Sequence, residues 1–192
     1  MGDITNNISY HELRPNGTPD TWMPEFPMQK LMLNILAQNI QLVINHFPNC
    51  HVTFASGVRT ASDYLRLQQS GYNPSPISDH FCGNIVPIDK SLNYDYYKYF
   101  GPYYMFSVGA ADTIPTTNIM DFFKLAVDLN KQGVTDFGQI IHETDPVKNT
   151  EWVHMSNNLN MFYSLRVTSI LPPRPPYQYT TDGGKTYQIY NG

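Results

Sequence analysis

The chain has 192 residues, of which 41% are hydrophobic and 15% charged, and its formal net charge is −4. This length suits one well-buried core, and this composition is typical of a globular protein and excludes a disordered one. The negative charge and the lack of any Lys/Arg cluster argue against a nucleic-acid-binding face, so no nucleic-acid partner is expected.

Targeting signals are missing from the sequence pattern. The first residues, MGDITNNISY, have neither the basic nor the apolar region of a secretory signal peptide. No apolar run approaches the roughly 18 residues of a transmembrane helix. We therefore expect synthesis in the cytoplasm without a signal peptide, and no membrane span. The two cysteines, Cys50 and Cys82, are expected to be unpaired core thiols.

Hydrophobic spacing predicts three helices and a few short strands. Apolar residues recur every three or four positions over 27–47, where Pro27 suits a first helical turn and Pro48 ends the helix. Further helices are predicted over 61–70 and 118–130. These elements indicate an α+β fold in which a small antiparallel sheet is flanked by helices, with one domain over 1–170. The predicted strands are 51–55, 137–142 and 151–156, with a strand or turn at 8–13 and a strand or short helix at 159–170.

Two segments differ in composition from the rest of the chain. Residues 84–108 contain the tyrosine-rich run NYDYYKYFGPYYMF, which has neither a helical nor a strand period. Residues 171–192 begin as a Pro-rich, extended arm and continue as a hairpin that turns at Asp182-Gly183-Gly184. Tyr-rich and Pro-rich segments suit contacts with other protein chains, and the tyrosines could alternatively line a substrate channel.

Four short motifs carry the candidate chemistry. They are Ser-Gly-Val-Arg-Thr at 56–60, Ser-Asp-His ending at His80, Ala-Ala-Asp ending at Asp112, and Glu-Trp-Val-His ending at His154. Two histidines and a carboxylate are the minimum ligand set of a catalytic zinc site, which keeps one position open for water. A second carboxylate, Glu151, precedes His154 by three residues.

In this order the motifs resemble the zinc D-alanyl-D-alanine carboxypeptidase family, particularly its phage-borne members. The family landmarks are Ser-Gly-Tyr-Arg-Ser/Thr, Ser-x-His-x-x-Gly-x-Ala-x-Asp and Trp-Val-His, and the resemblance covers about 8–170. It implies a Zn²⁺ cofactor and action on the stem peptides of bacterial peptidoglycan. It also implies a phage-encoded protein that belongs to the virion or is released at lysis.

The resemblance implies a role for each matching residue. His80 and His154 match the two histidine ligands, and Arg59 matches the arginine that orients the substrate. Glu151 matches the general base of many members. Residues three apart on an extended strand lie on opposite faces, so Glu151 can reach the site of His154 only if the backbone bends around Trp152. Glu143 is an alternative carboxylate on the preceding strand.

The third ligand departs from the family pattern. The family aspartate lies seven residues after the first histidine, where this chain has Pro87, which cannot bind zinc. Asp89 is nearest in sequence, whereas Asp112 follows Ala-Ala and precedes a helix as the family residue does. We prefer Asp112, which makes 84–108 an insertion inside the zinc motif.

Two other functions remain open on the sequence. The chain could be a non-catalytic structural or wall-binding virion protein that keeps the peptidase fold with a degenerate metal site. It could also be an unrelated α+β binding domain whose motifs match by chance, in which case His80 and His154 would lie far apart.

Overall fold

The computed structural model describes residues 4–72, 74–75, 78–82, 86–87, 103–104, 108–158 and 175–192. It confirms the α+β class, because a six-stranded sheet is combined with flanking helices. The helices are α1 (Tyr10–Leu13), α2 (Pro27–Ile44), α3 (Ala61–Gln69) and α4 (Ile119–Lys131). The strands are β1 (Val52–Ser56), β2 (Val86–Pro87), β3 (Tyr103–Tyr104), β4 (Ala110–Pro115), β5 (Phe137–Asp145), β6 (Thr150–Asn157), β7 (Tyr177–Thr180) and β8 (Gln188–Ile189).

The large sheet has the strand order β1-β4-β6-β5-β7-β8. All neighbouring pairs are antiparallel, as predicted, except β5 and β7, which run parallel. Within the described residues, β2 and β3, which lie in the predicted tyrosine-rich insertion, form a separate two-stranded sheet. Most of that insertion, the predicted element at 159–170 and the start of the Pro-rich arm lie outside the described residues.

The core lies between one face of this sheet and the helices α2 and α4. Successive side chains of a strand point to opposite faces, so every second residue of the central strands faces these helices. Ile140 of β5 and Val153 and Met155 of β6 are fully buried in this way. The intervening residues of β4, β5 and β6 therefore point to the other face of the sheet, where Asp112 and His154 lie.

Local sequence explains where the helices begin and end. Helix α2 starts with Pro27 in its first turn and ends at Ile44, before Pro48. Helix α3 begins with a capping box, in which the Asp63 amide donates to Thr60 Oγ1 at 3.2 Å and the Thr60 amide donates to Asp63 Oδ2 at 3.1 Å. The three long helices thus follow the predicted ranges closely, whereas 8–13 forms the short helix α1.

The C-terminal hairpin belongs to the same sheet. Its two strands pair antiparallel, with Gln178 opposite Ile189, as the Asp-Gly-Gly turn predicts. The first of them, β7, lies alongside β5, with Gln178 opposite Ile141. The hairpin thereby extends the sheet beyond β5. Among the described helices, none is both long and apolar enough to cross a membrane.

Candidate metal centre and its cavity

Three elements bring His80, Asp112 and His154 together. Asp112 on β4 and His154 on β6 are direct partners in the antiparallel register, so their side chains project from the same face of the sheet. His80 lies in a short 3₁₀ turn, Asp79–Phe81, where Ser78 Oγ accepts a hydrogen bond from the His80 amide at 3.3 Å. The predicted convergence of these motifs is therefore confirmed. The alternative of an unrelated domain, in which His80 and His154 would lie far apart, is wrong in that expectation.

The potential ligand atoms of these residues are mutual neighbours. Asp112 Oδ1 lies 3.2 Å from His80 Nε2 and 2.9 Å from His154 Nδ1, and the two imidazole nitrogens are 3.2 Å apart. His80 is 3% exposed and Asp112 is 9% exposed. This buried cluster could hold a metal ion.

The hydrogen bond of His80 Nδ1 shows that the cluster suits a cation. His80 Nδ1 donates to the carbonyl oxygen of Gly57 at 2.8 Å, so in the neutral ring Nε2 carries a lone pair. That lone pair faces a carboxylate oxygen and a second imidazole. Acceptor atoms converge in this way around a proton or a metal ion, and a backbone carbonyl is a usual partner of the outer nitrogen of a metal-binding histidine.

The electrostatics of the cluster favour an ionised Asp112 and a neutral His80, whereas His154 holds its proton more tightly and must release it when a metal binds. Burial lowers the pKa of His80, even though the Asp112 carboxylate acts in the opposite direction. Burial alone would raise the pKa of Asp112, but His80 and His154 hold it well below its usual range. Hydrogen bonding to Asp112 raises the pKa of His154 despite its burial. At neutral pH Asp112 is therefore an anion and His80 is neutral.

The motif at 56–60 folds around His80. The Arg59 amide donates to the His80 carbonyl at 2.7 Å, and the Val58 amide donates to the Leu13 carbonyl at 2.8 Å. Gly57 is required by close packing, because a Cβ there would lie 2.6 Å from the carbonyl carbon of Leu13. The glycine thus allows α1, β1 and the His80 turn to meet.

Arg59 lies beside the cluster, as the motif predicts. Its guanidinium donates to Ser78 Oγ at 3.3 Å and to Ser56 Oγ at 3.2 Å, and it lies 4.0 Å from Asp112 Oδ2. Only 9% of Arg59 is exposed. A cation held in this fixed position balances the buried aspartate and faces the cavity described below.

The two candidate carboxylates lie on opposite faces of the sheet. Strands β5 and β6 pair without a shift from Ile141 opposite His154 to Asp145 opposite Thr150, so β6 does not bend around Trp152. Glu151 therefore points away from His154 and accepts a hydrogen bond from His142 Nε2 at 2.6 Å. The structure does not bring Glu151 into the cluster.

Glu143 takes the position on the cluster side of the sheet. Trp152 is its partner on β6, and the side chain lines the same cavity as Arg59 and His154. Burial, with a smaller contribution from the Asp112 charge, raises the pKa of Glu143 to about 7. A carboxyl group with this pKa exchanges protons readily near neutral pH, which is what a general base needs.

The cluster opens into a cavity with a volume of about 700 Å³, within the usual size range of ligand sites. Its floor is the face of the sheet that carries Asp112, Glu143 and His154, and α3 lines part of its wall. The C-terminal hairpin contributes another part of the wall, which sequence reasoning missed. Hairpin residues at the cavity are Gln178, Gly183, Gly184 and Tyr187.

The predicted alternative ligand Asp89 lies outside the described residues. Among the residues that the structure describes, His80, Asp112 and His154 form the group with metal-binding geometry. Comparison of the chain with protein-family models, with characterised proteins and with solved structures gives no match. The resemblance to the zinc D-alanyl-D-alanine carboxypeptidases therefore remains a prediction from the motifs.

Proposed function

We propose that this protein is a zinc-dependent peptidase that acts on the stem peptides of bacterial peptidoglycan, with the fold of the family that its motifs resemble. The observation that carries the proposal is the convergence of five side chains on one cavity. Three could hold the metal, one is a fixed cation and one is a carboxyl group with a pKa near neutrality. These are His80, Asp112, His154, Arg59 and Glu143.

The ligand set supports zinc as the metal. Two imidazole nitrogens and one carboxylate oxygen are a common set for catalytic zinc, because they leave a position open. A zinc ion bound there would lower the pKa of a water molecule and polarise a carbonyl group. The residues His80, Asp112 and His154 would hold it.

Glu143 is the general base in this proposal, in place of Glu151. Its carboxylate accepts a proton from the attacking water and then transfers that proton to the nitrogen of the departing amine. Its position in the cavity and its pKa of about 7 both suit this exchange. Glu151, which is bonded to His142 on the other face, supports the strand instead.

Arg59 binds and orients the substrate. Its guanidinium is held by Ser56 and Ser78 and faces the cavity, where it can donate to a peptide carbonyl or to a terminal carboxylate. Because the serines fix the group before substrate arrives, little conformational entropy is lost on binding.

A matched pair of substitutions tests the proposal. Glu143→Gln should leave zinc bound in a near-stoichiometric amount, measured by elemental analysis, and should reduce cleavage of a stem peptide by at least about 100-fold. Glu151→Gln removes the same charge from the other face of the sheet and should retain activity within a few-fold. His154→Ala and Asp112→Ala should both lose the metal.

Several results would contradict the proposal. Full activity in Glu143→Gln would exclude this residue as the base, and loss of activity in Glu151→Gln alone would restore the assignment made from the motif. A native protein that binds no zinc after incubation with the metal would favour the non-catalytic virion protein.

A further inference from the structure

The C-terminal hairpin is fixed against the strand that carries Glu143. Strand β7 runs parallel to β5 with Thr180 opposite Glu143. The turn that follows returns to β5, because the Gly183 amide donates to the Thr144 carbonyl at 3.1 Å. These contacts fix the hairpin beside Glu143, the candidate base.

The turn itself is held by a network around Asp182. One carboxylate oxygen, Asp182 Oδ1, accepts from the backbone amides of Lys185 and Thr186 at 3.0 Å each and from Thr180 Oγ1 at 2.8 Å. Gly183 and Gly184 have φ angles of +74° and +80°, which glycine adopts without strain. This geometry sets the direction in which the next strand leaves the turn, and with it the position of Tyr187.

The Tyr187 hydroxyl group and the Glu143 carboxylate both lie close to Gly184. A Cβ at Gly184 would lie 2.9 Å from the Tyr187 hydroxyl oxygen and 3.6 Å from Glu143 Oε2. The phenol and the carboxylate therefore flank the same point of the cavity wall, and the lack of a side chain at Gly184 leaves room for both. Tyr187 is 45% exposed and lines the cavity.

The hydroxyl group is available as a donor. Within the described part of the chain, it has no hydrogen-bond partner. Burial raises the pKa of the Tyr187 phenol, and the negative charges of Glu143 and Asp112 raise it further. The phenol thus keeps its proton and can donate it to an acceptor that enters the cavity.

We propose that Tyr187 donates a hydrogen bond to a carbonyl or carboxylate oxygen of the peptide substrate, so that the C-terminal hairpin supplies part of the substrate-binding site. This inference rests on the proposed peptidase function and deepens it. It assigns a substrate contact to a segment that lies beyond the region of family resemblance. Arg59 and Tyr187 would then hold the peptide on either side of Glu143.

The test compares two tyrosines of the same hairpin. Tyr187→Phe removes the hydroxyl in the cavity. Tyr179→Phe removes a hydroxyl that bonds to Gln188 and lies on the other face, in register with His142. On the zinc-loaded protein, Tyr187→Phe should lower kcat/KM for a stem pentapeptide ending in D-Ala-D-Ala by about five- to tenfold, as expected for one lost hydrogen bond. Tyr179→Phe should change it by less than twofold.

A binding measurement separates this inference from the proposed function. On the Glu143→Gln background, calorimetry with the same pentapeptide should show a Kd raised about fivefold or more by Tyr187→Phe and unchanged by Tyr179→Phe. Wild-type protein that cleaves the peptide while Tyr187→Phe matches it in both assays would overturn this inference alone. Wild-type protein that neither binds nor cleaves the peptide would overturn both.

Discussion

Asp112 is the charge around which the candidate metal centre is arranged. Its Oδ1 atom contacts both histidines, while Oδ2 lies 4.0 Å from the Arg59 guanidinium. A buried carboxylate would be strongly destabilising without such partners. The contacts with the two histidines explain why Asp112 stays ionised and available to a metal ion over a wide pH range, since they lower its pKa despite its burial.

Gly57 gives a prediction at the scale of one residue. A Cβ at this position would overlap the backbone of Leu13, so Gly57→Ala should force β1 and α1 apart. The Gly57 carbonyl would then move away from His80 Nδ1, which it now orients. We expect a loss of at least about 2 kcal/mol in unfolding free energy and a weaker zinc affinity, measured by urea unfolding and by competition with a chelator.

Gly133→Ala is the matched control for this substitution. Gly133 has a φ angle of +71° with no atom within 4 Å of an added Cβ, so the change costs only backbone strain, about 1 kcal/mol. Its zinc affinity should equal that of the wild type. Equal zinc affinity in Gly57→Ala would show that this carbonyl does not position the ligand.

The sequence motifs predict the residues of the cluster better than they predict which carboxylate faces the cavity. Motif context alone points to His80, Asp112 and His154, with Asp112 placed beyond an insertion. The choice between Glu143 and Glu151 depended on whether β6 bends at Trp152, and a bend of this kind leaves no pattern in the sequence. Tyr187 was missed because residue type alone does not show which strand a terminal hairpin joins.

At the scale of elements, the pairing of β4 with β6 creates the site. Asp112 and His154 face each other across this pair, so a shift of one residue would send one of them into the core. On β6, the fully buried Val153 and Met155 face the helices, which fixes the register of this strand. The helix ranges and the strand at 151–156 can be predicted from the sequence because they follow from hydrophobic periodicity, whereas β4 lacks this signal because nearly all of its residues are buried. The parallel addition of β7 is not readable, because it is a long-range contact.

The hairpin provides a prediction for an element. Tyr190 follows β8 and packs edge-on against Phe123 of α4, with ring centroids 4.9 Å apart, whereas the preceding Ile189 is 60% exposed. Tyr190→Ala should therefore lower the unfolding free energy by about 1–3 kcal/mol. Ile189→Ala should change it by less than about 0.5 kcal/mol. Urea unfolding measures both, and equal effects would indicate that the hairpin does not pack on the body of the protein.

At the scale of the whole molecule, the cluster joins distant parts of the chain. His80 and Asp112 are 32 positions apart, and Asp112 and His154 are 42 apart. The unfolded chain cannot present these ligands together, so a metal ion that binds the folded state must stabilise the entire fold. Stability is therefore a measure of metal binding that needs no knowledge of the substrate.

The sign of the pH effect follows from the pKa shifts of the cluster. The raised pKa of His154 stabilises the metal-free fold below the unfolded pKa of histidine, and this contribution is lost as pH rises through the folded value. Zinc needs the neutral imidazole, so protons compete with the metal at low pH. The increase in unfolding free energy caused by zinc should therefore grow as pH rises from about 5.5 to about 8.

Thermal unfolding with and without zinc measures this increase. We expect a free zinc concentration a thousandfold above the Kd at pH 8 to stabilise the protein by about 4 kcal/mol at that pH. The same zinc concentration should stabilise it less at pH 5.5, where the Kd is higher. His154→Ala should remove it at every pH, whereas replacement of the exposed His46 by alanine should leave it intact. A stabilisation that His154→Ala retains would place the metal elsewhere. If the stabilisation by zinc were the same at both pH values, neutral imidazoles would not be the ligands, because competition between protons and zinc for imidazole makes this stabilisation smaller at pH 5.5.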